Sequence, residues 1–390
     1  MTVLPYSRLS VTRSRIAVPR LDWVLVSAAA TIVVIGTLLV WSATSTNETL
    51  THGQPTAYLH KHLVNVAIGI VLAAAVMATD HRWVRIVTPL VYAASVFGLL
   101  LVLVMGSTIN GSRSWLMFGG MSIQPAEFAK LAVVTMSAML VAERTENSRG
   151  RGINGVDVAL MLGIAGIPAA LIMLQPDLGT MLVLTATVFG VLAVAGVPRR
   201  WLTALLVSGI AFAALVVAAG VLKQYQINRF MAFTNPALDP RGAGYNTTQA
   251  RIAIGNGGLF GRGLFDGSQT RSRFVPEQHT DFIFTVAGEE LGLVGAGLLI
   301  LLFALLIWRA LWISRNADDM FGRVAAAGIA CWFAFQTFQN VGMCLGIMPV
   351  TGVPLPLVSY GGSSMFASFM ALGLLQNIAM RSTTLPSRRV

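Results

Sequence analysis

Residues 23–42 are WVLVSAAATIVVIGTLLVWS, a run without a single charged side chain. A helix of this length is about 30 Å long, which matches the hydrocarbon core of a bilayer. Arg8, Arg13, Arg15 and Arg20 precede the run, as in a secretory signal, but the run is too long for the apolar part of one. It predicts an uncleaved first transmembrane helix.

Similar apolar runs recur along the chain, separated by short polar connectors. Hydrophobic residues make up 55% of the 390 residues and charged residues 11%, whereas a soluble domain has about 25% charged residues. We therefore predict an all-α integral membrane protein of about ten transmembrane helices. Their predicted bounds are 23–42, 62–79, 84–106, 125–142, 155–174, 179–197, 201–221, 283–308, 321–347 and 355–379. Cys331 and Cys344 lie in one predicted helix and are expected to be free buried thiols.

Positive charges fall mostly on one side of these predicted helices. Seventeen arginines lie in the connectors and tails of one side, whereas the short loops of the other contain only Lys61 and Arg113. The positive-inside rule places the seventeen in the cytoplasm. We expect one polytopic membrane domain, 1–390, with cytoplasmic tails at 1–22 and 380–390. The net charge of +11 follows this orientation, so nucleic acid is not a predicted partner.

A large loop, 222–282, is predicted between helices seven and eight on the extracellular side. It contains seven cationic and four acidic residues, an excess of three positive charges. One interpretation is attraction to the anionic headgroups of membrane lipids. The other is a folded binding surface, because long loops are often functional and this one contains seven glycines between 242 and 263.

Ionisable side chains within predicted helices are costly and therefore indicate candidate sites. Glu127 and Lys130 are three residues apart and share a helix face. They are either functional or a pair that neutralises itself at the outer boundary. Of Glu289 and Glu290, at least one should point into the bundle or a wet cavity. Three amides on one helix are predicted to hydrogen-bond between helices: Gln336, Gln339 and Asn340.

Polar motifs collect at the predicted external ends of the helices. They are GSRSWL at 111–116, QPAEFAK at 124–130, QPDLGT at 175–180, PEQHTDFIF at 276–284 and PLPLVSYGGSS at 354–364. Prolines and glycines break helices, which is tolerated at membrane depth where the backbone lines a cavity. The sequence thus predicts an outward-facing polar cavity in contact with lipid.

These five motifs, in this order, resemble those of the SEDS family, which includes RodA, FtsW and SpoVE. The resemblance extends from Asp22 to about Arg381 and is closer to RodA. It implies a peptidoglycan glycosyltransferase that polymerises lipid II at the outer face of the bacterial plasma membrane, for cell-wall elongation and cell shape. It also implies a class B penicillin-binding transpeptidase and other elongation or division complex proteins as partners.

The same resemblance assigns roles to three residues. The family's essential acid corresponds to Asp281, its functional lysine to Lys130 and its motif tryptophan to Trp115. Some FtsW-like members have an arginine where this chain has Ser122, so the role of that arginine is not transferred.

The reaction joins a sugar hydroxyl to an anomeric carbon and expels a lipid pyrophosphate. Asp281 is the predicted proton acceptor, although an aspartate here could instead cap the next helix. The cations predicted to stabilise the leaving group are Lys130, Arg113 and Arg251, while His279 is expected to shape the Asp281 loop.

The remaining candidate substrate-binding residues come from the same motifs. They are Trp115, Glu127, Glu277, His279, Ser359, Tyr360 and Ser363. No cofactor and no metal-binding spacing is predicted, although Mg²⁺ or Mn²⁺ could share the role of the cations. Two alternatives stay open, a lipid II flippase and a non-catalytic scaffold for a transpeptidase.

Overall fold

The computed structural model describes residues 21–51, 53–109, 112–118, 121–147, 153–220, 227, 233, 235–239 and 242–382. Within these ranges, each of the ten predicted spans corresponds to one long helix. The long helices are α1 Trp23–Ser45, α3 Ala57–Ala78, α4 His81–Met105, α5 Pro125–Asn147, α6 Gly155–Leu174, α7 Leu178–Val194, α8 Arg199–Ala218, α11 Ile283–Asn316, α12 Met320–Leu345 and α13 Gly362–Ser382. The described residues also contain three shorter α-helices, α2 Glu48–Thr51, α9 Ala243–Gly257 and α10 Ser268–Ser272, and one 3₁₀ helix, Pro236–Leu238.

Seven of the described helices are long and apolar enough to cross a membrane: α1, α3, α4, α5, α6, α11 and α13. Helix α7 is apolar and shorter. Large apolar side chains on α3, α4, α8 and α11 are exposed on the outside of the bundle, where lipid replaces water as the contacting medium. The predicted multi-pass helical membrane fold is confirmed.

Helix α12 lies inside the bundle, packed against α5, α7 and α11. Small residues allow this close packing. A Cβ atom built on Gly328 of α12 would lie 2.7 Å from Val134 of α5 and 2.8 Å from Val191 of α7. The polar residues of α12 are consequently surrounded by protein.

A small antiparallel sheet between α4 and α5 was not predicted. It consists of β1 Ser107–Ile109, β2 Ser112–Phe118 and β3 Met121–Ile123, in the order β1-β2-β3. Alternate residues of β2 face opposite sides, so Ser114 and Leu116 are buried while Arg113 and Met117 are exposed.

The last predicted span begins seven residues too early. Its prediction started at 355, but α13 begins at Gly362, and residues 349–361 are not helical. Pro354 and Pro356 lack the backbone N–H that a helix needs and disfavour a helical residue before them. We call residues Val350–Tyr360 the unwound segment.

Helix α11 is broken inside the bundle, where Gly292 has φ +68°. Residues Gly258–Gly263, here called the inserted loop, lie against the break. Four backbone hydrogen bonds join them to α11, at 2.9 to 3.0 Å: Arg262 N to Glu289 O, Gly263 N to Glu290 O, Leu293 N to Gly258 O and Val294 N to Leu259 O. The loop thereby satisfies backbone groups that the helix leaves open.

Part of the predicted large loop is folded and packs onto the bundle. Helix α9 contacts α11 and α12, and α10 is attached through Glu289. The Glu289 carboxylate accepts hydrogen bonds from Gln269 N at 2.7 Å and from Thr270 N and Thr270 Oγ1 at 2.8 Å. Three of the loop's predicted cations, Lys223, Arg229 and Arg241, lie outside the described residues.

Candidate functional site

A polar cavity of about 550 Å³ opens where four long helices begin. The first turns of α5, α7, α11 and α13 meet there with β2, α9 and the unwound segment. The lining residues are Ser112, Ser114, Trp115, Gln124, Pro176, Asp177, Leu178, Asn246, Pro276, Glu277, Thr280, Asp281, Phe282, Val350, Thr351, Gly352, Pro354, Tyr360, Gly361, Ser363 and Ser364. Each of the five motifs contributes at least one residue to the cavity wall, so the structure brings all five together.

Asp281 lies in the cavity wall at the start of α11 and is half-buried. Phe282 occupies the N-cap position of α11 and makes no side-chain cap hydrogen bond, and the capping alternative for Asp281 stays open beside its predicted catalytic role. A Cβ atom built on Gly352 would lie 3.2 Å from Asp281 Oδ2, which means that the carboxylate faces the unwound segment at its one glycine.

The turn before Asp281 is built around the carbonyl of Glu277. This oxygen accepts hydrogen bonds from the backbone N–H groups of Thr280, Asp281 and Phe282 at 3.1 to 3.3 Å. Glu277 itself has φ +51°, a conformation that costs free energy for a residue other than glycine. The turn aims the exposed Glu277 and the half-buried Asp281 into one cavity.

His279 does not line the cavity but joins its walls. Its backbone oxygen accepts a hydrogen bond from Tyr360 N at 2.8 Å, and its ring lies edge-on to Tyr58 with centroids 5.3 Å apart. Burial lowers the pKa of His279 and raises the pKa of Tyr360. Burial thus disfavours the charged form of both side chains, and the role of His279 in shaping the loop stays a prediction.

Asp177 is a third acid in the cavity wall, and sequence reasoning did not select it although its motif was noted. Its carboxylate accepts hydrogen bonds from Thr180 N at 3.0 Å, Thr180 Oγ1 at 2.8 Å and Gln124 Nε2 at 3.1 Å. Burial raises the pKa of Asp177, and the bonds from Thr180 oppose that rise. Its position directly before an apolar helix, next to a proline, was the available signal.

The three predicted cations lie outside the cavity wall. Lys130 is fully buried, with its Nζ 2.8 Å from both Glu127 Oε1 and Gln336 Oε1. Arg113 is exposed and donates to Gly106 O at 2.7 Å, at the end of α4. Arg251 is exposed on α9.

Other predicted side chains divide between lining and supporting positions. Trp115, Glu277, Tyr360 and Ser363 line the cavity, and Ser363 Oγ accepts a hydrogen bond from Gln124 N at 2.9 Å. Ser359 is buried and accepts one from Leu355 N at 2.8 Å, which shapes the unwound segment. Substrate contact by any of them stays a prediction.

No cluster of three or more His, Cys, Asp or Glu side chains that could hold a metal ion occurs among the described residues. The three acids of the cavity are spread over two separate motifs and do not form a ligand cage. Mg²⁺ is commonly held by one or two carboxylates together with substrate phosphates, so a role for Mg²⁺ or Mn²⁺ stays a prediction, and no chemical step below depends on either ion.

These features define a polytopic helical membrane protein with an acidic cavity at the starts of four helices. Residues 22–384 match the family model of the FtsW, RodA and SpoVE cell cycle proteins, and the chain belongs to that family. The resemblance drawn from the five motifs is thus confirmed at the level of the family.

Two curated relatives illustrate the match. Stage V sporulation protein E of Bacillus subtilis is 37% identical over 93% of this chain and 97% of its own length. The peptidoglycan glycosyltransferase MrdB of Escherichia coli K12 is 36% identical over 92% of this chain and 93% of its own.

Two solved structures are also similar. A chain from a peptidoglycan synthase complex has a TM-score of 0.76 at 34% identity. The rod shape determining protein RodA of Thermus thermophilus has a TM-score of 0.69 at 33% identity. Each alignment covers 93% of this chain and 98% of the other.

Proposed function

We propose that this protein is a peptidoglycan glycosyltransferase that polymerises lipid II into glycan strands. The single observation that carries the proposal is the half-buried carboxylate of Asp281 in the wall of a cavity large enough for sugar rings. The names of relatives support the reaction class, since MrdB of Escherichia coli is a peptidoglycan glycosyltransferase.

In the proposed reaction, a sugar hydroxyl oxygen of one precursor attacks the anomeric carbon of another. The new C–O bond forms while the bond from that carbon to the pyrophosphate oxygen breaks. The hydroxyl proton passes to the Asp281 carboxylate, and lipid pyrophosphate departs with the bonding electrons. A positioned general base contributes about 10²–10⁴-fold to such a rate.

Two further acids fit the sugar portion of the substrate. Asp177 and Glu277 line the same cavity, and carboxylate oxygens accept hydrogen bonds from sugar hydroxyls. Trp115 adds an aromatic surface to the wall. We assign the disaccharide to this acidic region.

The departing pyrophosphate needs positive charge, and the cavity wall contains no Lys or Arg side chain among the described residues. The starts of α5, α7, α11 and α13 border the cavity, and each carries the positive end of a helix dipole. Helix starts bind phosphate groups through free backbone N–H groups. The Asp177 carboxylate already caps α7, and Asp281 lies directly before α11. We therefore assign the pyrophosphate to the starts of α5 and α13, with Arg251 as the exposed cation on α9, the helix that also contributes Asn246.

The cellular setting follows from the same proposal. We infer that the cavity faces the outer side of the plasma membrane, that both termini are cytoplasmic and that the chain is one polytopic domain. The partner is a class B penicillin-binding transpeptidase, supported by the similarity to a chain from a peptidoglycan synthase complex. Cell-wall elongation is the proposed process, within a complex that contacts membrane lipids.

The proposal is tested with purified protein and labelled lipid II in detergent, where there is no membrane to cross. Wild type should make glycan chains, and Asp281→Asn should still bind lipid II but make at most traces. Asp266→Asn is the matched control, because Asp266 is an exposed loop acid paired with Arg271 at 3.6 Å. Absence of polymer with wild type would favour the flippase, and robust polymer with Asp281→Asn would exclude that residue as the base.

A further inference from the structure

Three carboxamides on one face of α12 hold the unwound segment against the cavity. Gln336 Nε2 donates to Pro354 O at 2.8 Å, and Gln339 Nε2 donates to Thr351 Oγ1 at 2.8 Å. Asn340 Nδ2 donates to Val353 O at 2.7 Å. All three amide side chains are fully buried.

Asn340 makes a second contact that the other two amides do not. Its Nδ2 also donates to the backbone oxygen of Asp281 at 2.7 Å. An amide nitrogen carries two hydrogens, so both donors are used, one on each wall of the cavity. One rigid group thus fixes the turn that carries the acid relative to the unwound segment.

The residue between the two clamped positions is the one that faces the acid. Gly352 lies between Thr351 and Val353, and it has φ +71°. A Cβ atom there would be 3.2 Å from Asp281 Oδ2. The position of the carboxylate relative to this backbone therefore depends on where Val353 is held.

Backbone hydrogen bonds and the Ser359 hydroxyl shape the second half of the unwound segment, from Leu355 to Tyr360. The carbonyl groups of its first half lack the regular partners of a helix, and buried carbonyls without a donor are costly. Pro354 and Pro356 cannot donate. The α12 amides supply the missing donors from a helix packed on three sides.

Lys130 orients one of these amides. Gln336 Oε1 accepts from Lys130 Nζ at 2.8 Å and from Trp332 Nε1 at 2.6 Å. With the oxygen held by two donors, the amide nitrogen of Gln336 points to Pro354 O. Lys130 therefore acts on the cavity wall through Gln336.

We propose that Asn340 is a positioning residue for the polymerisation reaction, holding Asp281 in register with Gly352, with Gln336 as a second tether of the same segment. This inference rests on the proposed function. Residues remote from the chemistry can matter this much, because misplacement of a reacting group by about 1 Å costs about 10²-fold in rate.

The test compares Asn340→Leu and Gln336→Met with Gln376→Met. Leucine and methionine keep nearly the size of the amides and remove the donors. Gln376 is a buried amide of α13 whose side chain makes no hydrogen bond within the described part of the chain, so it reports the effect of replacing a buried amide as such. Glycan synthesis from labelled lipid II gives kcat and KM, and thermal unfolding gives Tm.

Asn340→Leu should lower kcat about 10²-fold with KM within about twofold of wild type, while Gln376→Met changes neither. Equal kcat for Asn340→Leu and Gln376→Met, with wild type active, would overturn this inference alone. A loss expressed in KM rather than in kcat would do the same. Wild type that makes no glycan would overturn the proposed function and this inference together. If Asn340→Leu lowers Tm more than Gln376→Met does, the test passes to Gln336→Met. The kcat of Gln336→Met is expected to fall with KM unchanged, and an unchanged kcat would overturn the inference.

Discussion

Lys130 Nζ lies 2.8 Å from Glu127 Oε1, and the exposed fractions of the two side chains are 0% and 2%. The ammonium group also lies 4.9 Å from the ring centroid of Trp332. Neither charge reaches the cavity wall. The pair consequently affects the site through the helices that it joins, α5 and α12.

The first prediction concerns this ion pair. Lys130→Met should destabilise the protein by about 3–5 kcal/mol, because it leaves the Glu127 charge buried without its cation. The double variant Glu127→Gln with Lys130→Met should recover much of the loss, since no unpaired charge remains. Unfolding in a detergent titration measures both changes.

Half-buried Arg85 and exposed Glu146, which are 3.0 Å apart at the protein surface, provide the matched ion pair. Removing that interaction should cost at most about 1 kcal/mol. Unchanged stability of Lys130→Met together with a raised KM for lipid II would instead support direct substrate binding by Lys130.

The second prediction is a pH dependence of stability at His279. Burial lowers its pKa from 6.5, so the unfolded chain binds a proton there more readily than the folded protein. Its contribution is constant above about pH 6.5, and stability is lost as the pH falls from that value toward the lower folded-state pKa. The measurement is Tm from about pH 8 to about pH 5.

The His279→Phe variant is the control, because phenylalanine keeps a ring against Tyr58 and cannot bind a proton. The Tm difference between wild type and His279→Phe should be constant above about pH 6.5. Below that pH, the Tm of wild type should fall relative to the Tm of His279→Phe. A difference that is constant across the whole range would contradict burial as the cause.

The third prediction concerns the break in α11. A Cβ atom on Gly292 would lie 2.2 Å from Gly261 N, and its φ of +68° disfavours any other residue. Gly292→Ala should therefore destabilise the protein by more than 1 kcal/mol and loosen the inserted loop. Thermal unfolding and hydrogen exchange of residues 258–263 measure the two effects.

Gly297 offers a control within the same helix, because a Cβ atom there meets nothing within 4 Å. Gly297→Ala should be neutral or should stabilise α11 by about 0.5–1 kcal/mol. Equal effects of the two substitutions would mean that the inserted loop contributes little.

The fourth prediction is the orientation of the chain. In a background without Cys331 and Cys344, a cysteine replacing Ser272 should react with an impermeant reagent applied to intact cells. A cysteine replacing Asp318 should react only after lysis. Both native side chains are exposed, and the expectation follows from the positive-inside rule. Labelling in the opposite sense would reverse the orientation and the proposed outer location of the cavity.

The helices and the general location of the site were predictable from the sequence, since both depend on local patterns. Apolar runs near twenty residues predict spans, and the motif around Asp281 predicts a polar group at a helix start. The environment of Lys130 was not predictable, because it depends on Gln336 and Trp332, more than 200 positions later in the chain. Of the residues that contact Lys130, only Glu127 is close enough in the sequence to be predicted.

Other differences also have physical causes. The strands β1 and β3 have three residues each, which is too short for an alternating pattern to be recognised. The start of α13 was predicted too early because Leu355, Leu357 and Val358 are apolar. These three side chains are buried against neighbouring helices although they do not themselves belong to a helix.

The backbone hydrogen bonds between the inserted loop and α11 have a consequence for how the protein enters the membrane during synthesis. Gly258–Gly263 leave the ribosome before Ile283–Asn316, so their N–H and C=O groups already exist when the later helix is synthesised. Until the two meet, the open backbone groups around Gly292 would face hydrocarbon, where each costs several kcal/mol. We therefore expect the loop to dock as α11 enters the bilayer, and a long tag inserted between residues 263 and 283 should delay membrane integration.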